Sequence, residues 1–217
     1  MTGQYAALFL SAFVTFFVVI DPPGCAPIFA SLTSGASAAH RRVMAVRSVL
    51  VAGGILLVFA LFGETLLHTL GISLAAFRTA GGIMLFLIAI DMVFEKRTQR
   101  REERAEEIAR HASEEHRPVE AEDISVFPMA IPMIAGPGSI ATAMLMMARS
   151  EGWIGGALVL CAMAAALLLT MLALLAAGPM MRALGHKVEA MVTRVLGVIL
   201  AALAVQFAFD GIKATFG

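Results

Sequence analysis

Ala130-Ile131-Pro132-Met133-Ile134-Ala135-Gly136-Pro137-Gly138-Ser139-Ile140 lies in the middle of an apolar run from Ile124 to Ala148. By length the run predicts one membrane crossing, since about 20 apolar residues cover a hydrocarbon core of ~30 Å. By chemistry it cannot be one straight helix. Gly136-Pro137-Gly138 interrupts it, and Pro128 and Pro132 each lack a donor and crowd the carbonyl four residues back. The 12 residues Ile124–Ala135 and the 10 residues Ser139–Ala148 make pieces of about 15–18 Å. Neither crosses alone, and together they cross once, with the break near the membrane centre.

The same device occurs earlier. Asp21-Pro22-Pro23-Gly24-Cys25 interrupts a run from Tyr5 to Thr33, and Pro27 follows in the second piece. Four uninterrupted runs, 48–70, 74–94, 153–177 and 190–210, bring the expected crossings to six. Composition agrees. Of 217 residues, 59% are apolar and 15% charged, with mean hydropathy +0.86, whereas globular chains run at about 45–50% and 25%. Residues 95–123 hold 17 of the 32 charges, which leaves 15 across the other 188 positions. This excludes a water-soluble enzyme, a secreted disulfide scaffold and, at zero net charge, a nucleic-acid binder. Cys25 and Cys161 lie in apolar runs and are expected to be buried thiols. Met1-Thr2-Gly3-Gln4 has no basic segment, so the first run is not expected to be a cleaved signal.

The basic residues sort to one side. The loop after span 1 carries Arg41, Arg42 and Arg47, and the loop after span 3 carries seven Lys or Arg. The loop after span 5 carries Arg182 and Lys187, with Arg194 close by, so 13 of the 16 basic residues share a side. Both termini are therefore expected outside and the basic loops inside. Tyr5 and Trp153 then fall at the outer interface. Residues 95–123 read as a charged cytoplasmic connector whose Glu and Arg residues pair at helical spacings. His111, Glu115 and His116 offer metal-ligand chemistry there, but a solvated connector explains them better.

The chain is also written twice. Pro23 to Pro137 and Gly24 to Gly138 are offsets of 114, Leu70-Gly71 recurs as Leu184-Gly185, and Arg78, Gly81 and Ile83 recur at an offset of 116 as Arg194, Gly197 and Ile199. Each half has three crossings, so the second is inserted upside down, a recurrent design of secondary transporters. The expected fold is all-α: six transmembrane helices in two inverted repeats, 1–94 and 124–217, joined by the 95–123 connector. Helices 1 and 4 are broken near the membrane centre.

Irregular backbone survives in a bilayer only where protein or a watery cavity covers it. Each half-helix that begins after a break offers free N–H groups and the positive end of a dipole. In inverted repeats these two ends face one another, a ready site for a small anion such as a carboxylate. Asp21 before Pro22 has the pattern of an N-cap with proline at the first helical position. It is also the one acid at that centre, open to a substrate ammonium or to a coupling H+ or Na+. The candidate substrate-binding residues are Asp21, Pro22, Gly24, Cys25, Gly136, Gly138, Ser139 and Thr142. Asp21 is the candidate coupling-ion residue. Glu64 and Arg78 are expected to pair, as is Asp91 with Lys96 or Arg97, and Gln206 is a cavity-lining candidate. The fourteen methionines read as pliable packing.

The two broken segments carry a resemblance. Asp21 to Pro27, closing in Ser31-Leu32-Thr33, resembles the D-P-x-G-x-x-P…S-L-T signature of the MarC family of bacterial and archaeal inner-membrane proteins. Ala130 to Gly138 resembles that family's A-I-P-x-x-A-G-P-G signature. Pro23 and Cys25 stand where the signature leads one to expect an aliphatic residue and Asn. The resemblance spans the chain and implies an inner-membrane protein that transports small neutral amino acids such as glycine, alanine or threonine. By motif position it implies binding at Asp21, Gly24, Gly136, Gly138 and Ser139.

The expectation is an alternating-access secondary transporter for a small zwitterion, H+- or Na+-coupled, embedded in the lipid bilayer. It has no cofactor, no metal, no catalytic residues and no nucleic-acid partner. The absence of a P-loop argues against ATP as the driver. The alternatives are an exporter of another small metabolite or drug, and an intramembrane enzyme such as a lipid hydrolase. The second would need a nucleophile beside a base, and all five histidines lie in loops or at span ends.

Overall fold

The structure, a computed structural model, describes residues 2–94 and 124–216. The charged connector expected over 95–123, with His111, Glu115, His116, Lys96 and Arg97, lies outside the described residues. Every element of secondary structure among the described residues is a helix, and none is a strand. They form α1 (Thr2–Ile20), α2 (Pro22–Leu32), α3 (Ala38–Thr69), α4 (Leu74–Val93), α5 (Ser125–Ile134), α6 (Pro137–Arg149), α7 (Gly152–Leu175) and α8 (Ala177–Phe216).

Among the described residues, five stretches are long and apolar enough to cross a membrane: Gly3–Leu32, Ala38–Thr69, Leu74–Val93, Gly152–Leu175 and Ala190–Phe216. A sixth follows if α5 and α6, bent by 55° at their junction, count as one span. These match the six expected runs closely in position. The helices overrun the expected loops, however. α3 begins at Ala38, so Arg41, Arg42 and Arg47 lie on its first turns rather than in a loop. α8 begins at Ala177, two residues after α7 ends at Leu175, and carries Arg182 and Lys187 within helical backbone. Arginine and lysine are good helix formers, and no proline lies between Ala38 and Arg47 or between Met180 and Glu189 to stop the chain.

Local signals set the ends. Ser37 caps α3 by accepting from the His40 N–H at 3.2 Å, and Ser73 caps α4 by accepting from Ala76 at 3.1 Å. Between them α3 closes on Gly71 at φ +70, with Gly71 N–H bonded to His68 and Ile72 N–H to Leu67. That left-handed closure needs glycine.

Packing sorts the helices into a centre and a sheath. α2 is buried from Pro22 to Phe29 except at Pro23, and α6 from Gly138 to Met146 except at Ile140. α3, α4, α7 and α8 present apolar side chains outward, among them Leu50, Phe62, Leu87 and Val198, all more than half exposed. An exterior this apolar is built for lipid. α1 and α2 pack on α7, and α2 also on α8, while α5 and α6 pack on α3, and α6 also on α4. Cys161 departs from expectation: it is exposed on α7, because an apolar run surrounded by lipid has no need to bury a small apolar thiol in protein.

α4 and α8 make the most extensive helix pair and run antiparallel. A Cβ at Gly82 would lie 2.6 Å from Ala208 N and 2.7 Å from Ala204 O. One at Gly211 would lie 2.6 Å from Thr79 N, and one at Gly197 would lie 2.9 Å from Met92 Cβ. The small residues thus serve contact within the chain, letting backbones approach where lipid supplies no hydrophobic drive. Gly82→Ala is expected to destabilise by about 1–3 kcal/mol through overpacking, despite alanine's better helix propensity. Gly54→Ala, where a Cβ meets nothing within 4 Å, is expected to be neutral or stabilising by up to about 1 kcal/mol. Thermal unfolding of both variants in detergent checks the opposite signs.

Candidate substrate site at the two breaks

The first break is an in-line interruption. Asp21 adopts φ 60, ψ 66, the one non-glycine residue at positive φ among the described residues. A residue before proline is disfavoured in the right-handed helical region, and aspartate tolerates the left-handed one better than most. The conformation lets hydrogen bonding continue on both sides. Asp21 N–H donates to Phe17 O at 2.9 Å, and Cys25 N–H donates to Asp21 O at 3.0 Å. Gly24 N–H is diverted to the Asp21 carboxylate at 3.2 Å, and the Cys25 thiol donates to Ile20 O at 3.4 Å. Asp21 is thus the N-cap expected of it. It is also buried, at 1% exposure.

A third group meets the carboxylate from across the bundle. Thr193 of α8, itself buried, donates to Asp21 Oδ1 at 3.5 Å. Sequence reasoning missed Thr193. A lone threonine in an apolar helix ordinarily returns its hydroxyl to its own backbone, and nothing in the order of residues relates position 193 to position 21.

The second break is built differently. Phe127 (φ −132, ψ 124) and Ile131 (φ −125, ψ 125), each before a proline, are extended, so α5 is a widened coil rather than the α-helical piece expected. The peptide bonds before Pro128 and Pro132 are cis. The helical piece begins only at Pro137, after Gly136 at ψ 172, and no side chain caps it. The first N–H groups of α6, beyond the donorless Pro137, are those of Gly138 and Ser139.

The two breaks touch. A Cβ at Gly138 would lie 3.3 Å from Val19 Cγ1 and 2.6 Å from Ile88 Cδ1, so the start of α6 passes the end of α1 and the middle of α4. The glycines are close-approach positions: a Cβ at Gly136 would collide with Pro132 O, and one at Gly24 with Asp21 Oδ2. Pro22, Cys25 and Ser139 are buried beside them.

Thr142 is the residue that packing does not explain. Thr15, Thr33, Ser48 and Thr170 each donate their hydroxyl to the carbonyl four residues back. The Thr142 hydroxyl, fully buried one turn into α6, has no partner among the described residues. Such an orphan costs about 1–3 kcal/mol.

Other expected pairs fall elsewhere. Arg78 does not bond Glu64, which is exposed; it donates to Ala148 O at 2.9 Å, because α6 ends beside the start of α4. Gln206 is exposed and donates to Asp210 at 2.7 Å rather than lining a cavity. Asp210 also pairs with Arg149, whose guanidinium stands 4.3 Å above the Phe207 ring. Among the described residues no group of three or more His, Cys, Asp or Glu could hold a metal.

Gly24→Ala is expected to displace the Asp21 carboxylate from its cap and lower stability by about 1–2 kcal/mol. Asp21→Asn keeps the shape, caps as well and accepts the left-handed conformation, so it should hold stability within about 0.5 kcal/mol. Unfolding midpoints of the two variants distinguish cap from charge.

Comparison with known proteins places the chain in a family. The family model described as MarC family integral membrane protein matches residues 6–216. A UPF0056 membrane protein of Methanocaldococcus jannaschii is 38% identical over 206 residues, covering 94% of this chain and 96% of its own. One from Archaeoglobus fulgidus is 32% identical (96% and 93% covered). The UPF0056 membrane protein YvbG of Bacillus subtilis is 35% identical (94% and 93% covered). No solved structure matches the chain. With both broken segments inside the matched region, the chain belongs to the MarC family of integral membrane proteins.

Proposed function

We propose that this protein is a secondary transporter of small neutral amino acids, of the glycine, alanine and threonine type, working by alternating access with a coupled H+ or Na+. The orphan Thr142 hydroxyl carries the proposal. A buried donor left unpaired on a half-helix with an uncapped N-terminus is a place kept for a ligand. The ligand carboxylate takes the N–H groups of Gly138 and Ser139 and the Thr142 hydroxyl. Asp21 takes the ammonium or the coupling ion, and Pro22, Gly24, Cys25 and Gly136 shape the wall. A positive helix end and a carboxylate at adjoining breaks suit a zwitterion, and the family resemblance points to the same class.

Two inverted three-helix repeats, 1–94 and 124–217, broken near the membrane centre, are the architecture behind this mechanism. The exchanged packing supports them: α1 and α2 lie on α7 as α5 and α6 lie on α3, and α4 meets α8 antiparallel. Access switches as one repeat rocks against the other, which parts Gly138 from Val19 and Ile88. The protein sits in the cell inner membrane with both termini outside and the end bearing Arg41 and Arg42 inside.

The test is uptake of labelled glycine, alanine and threonine into liposomes holding the purified protein, with and without a pH or Na+ gradient. Wild type should accumulate at least one of the three under a gradient, and Asp21→Asn should lose the gradient dependence. Thr142→Val should cut uptake about tenfold or more while holding or raising the unfolding midpoint, since it removes an unpaired group. Folded wild type that takes up none of the three would sink the amino-acid assignment. Normal transport by Thr142→Val would move the site away from α6.

A further inference from the structure

At one end of the bundle α2 ends, α3 begins and α7 turns into α8. There a cleft of about 160 Å³ is lined by Phe29, Thr33, Arg41, Arg42, Leu175 and Gly178, among others. At about 30 Å³ per water, it has room for a group several waters in size. Four features of this cleft belong together. Two guanidinium side chains line it, and no Asp or Glu does among the described residues. Neither Arg41 nor Arg42 has an ion-pair partner among the described residues. Ala38 at the start of α3 and Ala177, Gly178 and Pro179 at the start of α8 also line it, so the positive ends of two helices converge there. Its floor is apolar at Phe29 and Leu174, and its mouth is exposed at Arg42, Leu175 and Pro179.

We propose that this cleft binds a phosphate-bearing anion, held by Arg41 and Arg42 in the two-pronged geometry guanidinium groups offer phosphate. The exposed Leu172 and Leu175 of α7 lead along the apolar exterior to the mouth. They give acyl chains a track when the phosphate belongs to a membrane lipid. Basic pockets between helices at a membrane surface are suited to anionic headgroups. The site joins α2 and α3 to the α7–α8 junction, so its occupation ties elements from both halves of the chain. It is independent of the cargo and of Asp21.

The test follows the thermal unfolding midpoint of the full-length protein in a non-ionic detergent. The titrants are dihexanoyl phosphatidylglycerol, dihexanoyl phosphatidylcholine and inorganic phosphate, each giving an apparent Kd from the concentration dependence. A saturable rise with phosphatidylglycerol alone identifies a lipid headgroup, and an equal rise with inorganic phosphate identifies a free anion; both support the proposal. Arg41→Gln/Arg42→Gln should weaken binding about tenfold or more, and Arg41→Lys/Arg42→Lys should restore part of it. Gly178→Leu, whose Cβ has only Arg41 Nη1 nearby at 3.9 Å, should block the cleft with both charges in place, and it decides the matter if the double Gln variant fails to fold. Arg47→Gln, on the same helix and outside the lining, should change nothing. Equal shifts with phosphatidylcholine, an unchanged Kd in both the Gln and Leu variants, or an equal loss in Arg47→Gln would overturn the site.

Discussion

A peptide group that loses its hydrogen bond in a bilayer has no water to replace it, at a cost of several kcal/mol. Pro22, Pro23, Pro27, Pro128, Pro132 and Pro137 remove donors from two of the apolar runs, and the arrangement of the chain follows from where those gaps can be placed. Only protein can cover them. α2 and α6 are therefore buried along nearly their whole length, and α3, α4, α7 and α8 form the sheath that meets lipid. The close α4–α8 contact across Gly82, Gly197 and Gly211 holds that sheath together.

The two breaks meet the same demand by different means. At the first, the chain heals itself: Asp21 turns left-handed and takes the Gly24 N–H, and the Cys25 thiol takes the Ile20 carbonyl that Gly24 gives up. The positive end of α2 is thereby occupied by its own carboxylate. At the second, the chain bends by 55° between α5 and α6, and α6 starts without a cap. The asymmetry divides the chemistry, with an acidic side chain at one break and open donors at the other. That division, together with the orphan Thr142 hydroxyl, is why the proposed transport site takes a ligand carrying both signs.

The crossings are legible in the sequence because a continuous apolar run and its proline interruptions are written in consecutive residues. So is the Asp21 cap, which depends on Asp21, Pro22 and Gly24 alone. The starts of α3 and α8 are not, since charged residues mark an expected interface without preventing a helix from continuing past it. Cys161 misleads for a related reason: an apolar residue in a membrane run is as stable against lipid as against protein, so hydropathy does not separate the two. Only nearness in sequence suggests Glu64 as the partner of Arg78, whereas the backbone carbonyl that takes Arg78 lies 70 residues away.

Consecutive residues alone therefore define the class of the molecule, the approximate limits of its apolar runs and the two places where prolines interrupt them. These are local matters of length, apolarity and missing donors. The folded arrangement is needed to bring the breaks together through Val19 and Gly138, to carry Thr193 to Asp21 and to leave Thr142 without a partner. It also sets Arg41 and Arg42 in one cleft with the start of α8. Each of these depends on which helix lies beside which, and that is settled by the packing of whole helices against one another.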